Sequence, residues 1–251
     1  MRHVDGVPPV GSGDEAASAD RTGAGDEPRA AVMTGVRLPR QARSRATFEA
    51  ILAAARTLLE TGGANAVTVQ AVLETAGVGA GSFYQRFDGR DSLLRYLHDR
   101  FWAEAEEDWR GFLEPGAWRG ATAAAVIGPF LRILVRWVSA HAGFLRAMLT
   151  HAVGTPDYAV LVRSAELENT LADLLIEVLG THPDIRHSEP GTAIRVATLQ
   201  AMATLRSRLI FLLPGDTDGI SDEALAEELS RSFLGYLGLA APPRGGGARL
   251  R

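Results

Sequence analysis

The chain has 251 residues, 46% of them apolar, enough to bury a sizeable core in one large domain or two small ones. It holds no cysteine, which excludes a disulfide framework and thiolate chemistry. The net charge is −4, but it is unevenly spread: residues 1–36 carry three arginines and six acidic residues, whereas residues 37–95 carry eight arginines and five acidic residues. A local basic segment in an acidic protein suits a nucleic-acid contact surface, because the field that matters is the one facing the phosphates.

Residues 1–36 are rich in Gly, Ala, Ser, Asp and Pro, hold no aromatic residue and show no apolar period, so a disordered tail is expected there. Order is expected from about Gln41. Phe48, Ile51, Leu52, Ala55, Leu58 and Leu59 recur at spacings of three and four, the mark of one helix face, and Gly62-Gly63 ends that helix. Thr68 has the chemistry to cap a short second helix whose inward residues are Val69, Val72 and Leu73. Gly77 can adopt the left-handed backbone of a tight inter-helix turn. A third helix is predicted over residues 79–87, with Phe83 and Phe87 turned inward and Ser82, Tyr84, Gln85 and Arg86 outward. About nine residues of helix span ~13 Å, which suits a major groove ~12 Å wide. The small residues at its start, among them Ala80, permit close approach of backbone to DNA. Two short helices about a glycine turn make a helix-turn-helix.

Beyond Asp91 the pattern is helical throughout, with helices predicted at 91–112, 120–141, 143–152, 156–179, 191–213 and 221–238 and with Pro or Gly at the breaks. Ser221 followed by Asp222 and Glu223 is a favourable helix start. No alternating strand pattern and no repeat is visible, so the expected class is all-α. The expected domains are a tail (1–36), a three-helix DNA-binding domain (37–90), a larger helical domain (91–239) and a loose tail (240–251). Uninterrupted apolar stretches run to a handful of residues, as in Leu209-Ile210-Phe211-Leu212-Leu213, against the ~20 a membrane span needs. No signal peptide is recognisable, and a cytoplasmic protein without a membrane partner is expected.

The pieces Ile51-Leu52-Ala53-Ala54-Ala55, Thr68, Ala76-Gly77-Val78, Gly81-Ser82-Phe83-Tyr84, Phe87, and Arg90 followed by Leu93-Leu94 stand in an order and spacing that resembles the TetR family of bacterial regulators. The resemblance covers about residues 43–94. It implies that Thr68 caps the second helix and contacts a phosphate, that Tyr84 binds a phosphate, and that Arg90 grips the DNA backbone at the start of the fourth helix. Ser82, Gln85 and Arg86 come nearest to base edges, with a phosphate the alternative for Arg86. Arg43 and Arg45 are candidates for phosphates or the minor groove. The chain departs from the family where Gly79 replaces a frequent Ser and Ala80 a frequent basic residue; Ala80 can offer a thymine methyl only its own methyl.

The resemblance also implies a homodimer through the last two helices. Ala193, Ala197 and Ala201 lie four apart on one helix, and Leu225, Leu229, Phe233 and Tyr236 stripe the next. The alternative is that both stripes face the monomer's own core. In the middle helices Trp102, Phe130, Trp137, His141, Phe144, Met148 and Tyr158 are candidates for a pocket binding an apolar or aromatic effector. The six histidines have no partners at useful spacing, so no catalytic residue, metal site or cofactor is expected. The expected partners are double-stranded operator DNA, a small-molecule effector and a second copy of the chain. The expected function is a repressor released by that effector. The competing classes are a helical small-molecule-binding protein without specific DNA binding and an all-α enzyme.

Overall fold

The computed structural model of the chain describes residues 35–39, 41–154, 159–211 and 219–239. Among these the elements are α1 (Ala42–Gly62), a 3-10 turn (Ala64–Ala66), α2 (Val69–Ala76), α3 (Ala80–Tyr84), α4 (Arg90–Phe112), α5 (Ala123–Ala140), α6 (Ala142–Gly154), α7 (Ala159–Leu179), α8 (Pro190–Phe211) and α9 (Asp222–Tyr236). The class is all-α, and each long helix begins and ends within a turn of its expected bounds. The predicted tails at 1–34 and 240–251, and the pocket candidate Tyr158, lie outside the described residues.

Two compact units divide the chain, Met1–Ala105 and Glu106–Arg251. The division falls inside α4, where the sequence placed it between residues 90 and 91. The first half of α4 completes the core of the first unit. Leu93, Leu94 and Leu97 are buried there. The Tyr96 ring meets Phe48 edge-on at 5.3 Å and Phe87 at 6.2 Å. Arg100 donates to both carboxylate oxygens of Glu49 at 2.8 Å and, through Nε, to Glu104 at 2.7 Å, which fastens α4 to α1. Burial works against the Arg100 cation, but the hydrogen bonds and charges of the two glutamates outweigh it and hold the guanidinium more firmly protonated than an exposed arginine. The neighbouring Tyr96 phenol is pushed above its ordinary value by burial, with Arg100 opposing.

Order begins earlier than Gln41. Val36 forms an isolated antiparallel bridge with Phe87, Asp88 donates its N–H to the Gly35 carbonyl at 3.0 Å, and Arg37 donates its N–H to the Arg86 carbonyl at 2.8 Å. Residues 35–39 are thus a strap laid along the segment that follows α3. A single bridge leaves no period in the sequence, which is why no ordered element was expected before Gln41.

In the second unit α5 packs against α9, α7 against α8, and α6 against both α7 and α8. By length and mean hydropathy (18 residues, 1.5) α5 could cross a membrane. Its apolar side is instead spent on the unit's core, where Val126, Ile127, Phe130, Leu131 and Leu134 are buried. Side chains fix the helix ends: Thr122 accepts from the Ala125 N–H and Ser221 from the Ala224 N–H, both at 3.2 Å. Ion pairs Arg195–Asp173 and Arg206–Glu168 join α8 to α7. Arg146 of α6 donates to the Leu209 carbonyl near the end of α8 at 2.7 Å.

The residues expected at a dimer interface turn out to belong largely to this core. Ala193, Ala197 and Ala201 are 0–3% exposed within their own unit, as are Leu225 at 7% and Phe233 at 2%. Leu229 is half-buried. Tyr236 is exposed at 41%. Small residues at a spacing of four permit close approach to any helix, and here α8 uses them on its own neighbours. Its other face carries Val196, Leu199, Ala203 and Ile210, with Leu199 at 54% and Ile210 at 42% exposure.

Candidate nucleic-acid interface

Local chemistry builds the helix-turn-helix. The Thr68 backbone is extended and its Oγ1 accepts from the Ala71 N–H at 3.1 Å, so α2 starts where an orphan donor is satisfied. Gly77 ends α2 with φ 65° and ψ 34°, a left-handed conformation that costs an L-residue with a Cβ about 1–2 kcal/mol. Its N–H returns to the Leu73 carbonyl, and so does that of Val78, at 3.2 Å.

The predicted third helix is shorter than expected. Regular α-helix covers the five residues Ala80–Tyr84. The Arg86 N–H then closes a tighter turn onto the Phe83 carbonyl at 2.8 Å, because the strap captures the next residues. Phe83 and Phe87 are fully buried. Phe87 stacks on Phe48 of α1 at 5.4 Å with an 8° interplanar angle and meets Phe83 at 5.5 Å. These aromatic contacts, worth ~0.5–1.5 kcal/mol each beyond their area, clamp so short a helix to α1. They leave Ala80, Gly81, Tyr84 and Gln85 exposed, Tyr84 at 54%, with Ser82 half-buried. Arg43 and Arg45 are exposed on the first turn of α1.

Two of the expected DNA contacts are committed elsewhere. Arg86, placed by the sequence at base edges or a phosphate, donates through Nη1 to the carbonyls of Arg37 (3.3 Å) and Leu38 (3.5 Å) and through Nη2 to the Ser44 hydroxyl. It staples the strap and α1 to the end of α3. Arg90, placed on the DNA backbone, donates through Nε to the Val67 carbonyl at 2.8 Å and through Nη2 to the Ala64 carbonyl at 2.7 Å. Those carbonyls stand at the two ends of the 3-10 turn before α2, so Arg90 ties the start of α4 to the lead-in of the helix-turn-helix. Sequence reasoning missed Arg37. Its Nη2 lies 2.9 Å from Asp88 Oδ1 and its Nη1 donates to the Tyr84 carbonyl at 3.3 Å.

The pocket candidates fall in both units. Trp102 lies in the first unit, 7% exposed, its indole N–H donated to His98. In the second unit Phe130, Trp137, Phe144 and Met148 are buried. Trp109 meets Phe130 at 5.6 Å and Trp137 at 6.4 Å, both edge-on. The half-buried His141 lies 4.9 Å from the Trp137 ring and shares a 2.8 Å hydrogen bond with the Trp137 carbonyl through Nδ1. Among the described residues no group of three or more His, Asp or Glu side chains is placed to hold a metal ion.

An exposed face on a short helix clamped to a three-helix core has the architecture of a helix-turn-helix. Residues 51–97, from the middle of α1 to the first turns of α4, match the model of the bacterial regulatory proteins of the tetR family. That stretch is therefore similar to the amino-terminal domain of the tetR family. No curated protein matches the chain. Solved structures share its fold at low identity. A putative TetR-family transcriptional regulator from Mesorhizobium loti is 12% identical with a TM-score of 0.61, over 79% of this chain and 98% of that one. FadR of Bacillus subtilis, solved with stearoyl-CoA, is 16% identical with a TM-score of 0.57, over 74% and 97%. GusR of Salmonella enterica is 16% identical with a TM-score of 0.54, over 80% and 98%. At such identities the likeness shows the fold alone, over about three quarters or more of this chain.

Proposed function

We propose that the chain is a cytoplasmic, homodimeric transcriptional repressor that leaves its operator when a small apolar or aromatic effector binds. The observation that carries this reading is the exposed surface of α3, where Ala80, Gly81, Tyr84 and Gln85 face solvent while Phe83 and Phe87 hold the helix from beneath. Gln85 is the candidate for a base edge, since a glutamine amide can pair with adenine. Tyr84, Arg43 and Arg45 supply phosphate contacts. The Thr68 hydroxyl accepts from Ala71 and keeps its own proton to donate to a phosphate. Arg86 and Arg90 act by holding this surface in shape.

A two-fold dimer would set two α3 helices about one DNA turn apart, ~34 Å, and read a near-palindromic site. Val196, Leu199, Ala203 and Ile210 lie along one face of α8, and a second copy would cover that face. The aromatic cluster Trp109–Phe130–Trp137, with His141 as its polar edge, suits an apolar or aromatic effector. The Bacillus subtilis protein of the same fold holds stearoyl-CoA, whose acyl chain is apolar. An effector of this kind would act by binding better to an arrangement of the dimer that no longer fits the DNA.

The test is a mobility shift of the full chain on the DNA upstream of its own gene, with Tyr84→Ala and Gln85→Ala beside it. Retention that Tyr84→Ala weakens on all sequences, and Gln85→Ala weakens on the specific site above all, supports the reading. Absence of retention on that DNA and on duplexes selected from a random pool would instead favour a helical binding protein that does not read DNA.

A further inference from the structure

Two arginines meet at the end of α3, and they are fixed in opposite ways. Arg86 spends its guanidinium on the carbonyls of Arg37 and Leu38 and on the Ser44 hydroxyl. Arg37 is held by its main chain, whose N–H donates to the Arg86 carbonyl at 2.8 Å and whose carbonyl accepts from Arg86 Nη1. Its side chain remains in solvent. The Arg37 side chain is 60% exposed and that of Asp88, with which it pairs at 2.9 Å, is 56% exposed. Its other contact is the carbonyl of Tyr84, the residue whose ring stands exposed on the same turn.

An ion pair this open to water contributes little stability, so the guanidinium can exchange its carboxylate for another anion at little cost. A phosphate oxygen is such an anion. It offers bidentate geometry to the same fork of donors and releases condensed counterions from the DNA. The geometry points to Arg37 as a DNA-backbone contact that Asp88 holds in place in the free protein and gives up on the operator. The inference rests on the DNA-binding reading above. It assigns to a residue of the strap the phosphate-gripping role that the sequence offered to Arg86 and Arg90. Asp88 then has a second effect, since its negative charge lies beside the path of the phosphates and opposes binding until Arg37 has moved.

The experiment uses the full-length protein and a duplex enriched from a random-sequence pool by retention on that protein. Affinity is measured over a range of salt concentrations for the wild type, Arg37→Ala, Arg37→Lys and Asp88→Asn, with thermal midpoints recorded for each. The expected result is that Arg37→Ala flattens the slope of log K against log salt by about 0.9, the loss of one phosphate contact, without lowering the thermal midpoint. Arg37→Lys restores the slope, and Asp88→Asn tightens binding. A wild-type slope in Arg37→Ala, with or without a lower midpoint, would mean that Arg37 serves the strap alone and overturns this inference while leaving the DNA-binding reading intact. Failure of the wild type to enrich or retain any duplex overturns both.

Discussion

Trp102 donates its indole N–H to Nε2 of His98, one helical turn earlier on α4, at 2.6 Å. Both side chains are buried, His98 to 1% exposure, so the imidazole must keep its proton on Nδ1, which lies 3.4 Å from Asp99 Oδ1. His98→Ala would strand a buried N–H and leave a cavity. We expect a loss of about 1–3 kcal/mol from the stranded donor, with a further cost for the cavity. His98→Gln, which can still accept a hydrogen bond, should lose less. Urea denaturation followed by tryptophan fluorescence would check this; equal losses in the two variants would show that the bond matters less than the ring's volume.

The cap of α2 is expected to have a measurable effect. Thr68→Ala should destabilise the protein by about 1 kcal/mol and Thr68→Ser by little, because the serine hydroxyl can accept from the same Ala71 N–H. Comparing denaturation midpoints at an unchanged slope isolates the effect.

Gly77 offers a different test, since a Cβ there would meet open space and the strain lies wholly in the left-handed backbone. Gly77→Ala should lose about 1–2 kcal/mol, whereas Gly77→Asn, which tolerates that conformation better, should lose less. Circular dichroism melts of both variants would report it, and an unaffected alanine variant would contradict the turn geometry.

Alkaline pH should act through Tyr96. Its folded pKa is raised above the ordinary phenol value of 10.0, chiefly by burial, so the folded state holds the proton more tightly than the unfolded chain. The stability that Tyr96 contributes is therefore fully present below pH ~10 and is lost as pH rises through the folded pKa. Tyr96→Phe should flatten the decline of stability in that window, as measured by denaturant titrations at stepped pH. A decline as steep as the wild type's would assign the effect to other groups.

The two faces of α8 should respond differently to charge. Leu199→Glu, at a position exposed within the chain, should yield a folded monomer on a sizing column with light scattering. Ala197→Glu, at a position 3% exposed, should unfold the second unit instead. A Leu199→Glu protein that remains dimeric would move the interface off this face.

What could be read from the sequence was local. Thr68 and Gly77 announce themselves because a cap and a left-handed turn are chemistry of one residue and its near neighbours. Phe83 and Phe87 followed from helical spacing. The destinations of Arg86 and Arg90 could not be read that way. Each guanidinium reaches carbonyls more than twenty residues away, and nothing in a helical period says whether a long cation points to solvent or back to its own backbone. The alanines of α8 are buried within the chain, the alternative that their spacing left open. A stripe of small residues says that something approaches closely, and it is silent on whether that something is α7 or another copy. The strap escaped because it is one bridge long, too short to show alternation.

Gly35 enters the strap with φ +94°, and a Cβ there would come within 3.0 Å of Asp88 Oδ2 and 3.2 Å of the Ser92 Cβ. Any residue with a Cβ would thus be strained here and would push on Asp88 and Ser92. This makes residues 35–39 part of the packing around α3. A fragment engineered to begin at Gln41, where the helical period starts, would discard both carbonyls that receive Arg86 Nη1 and expose the edge of Phe87. One that begins at Gly35 would keep every described bond of the clasp, so trimming tolerance should change abruptly between these two positions.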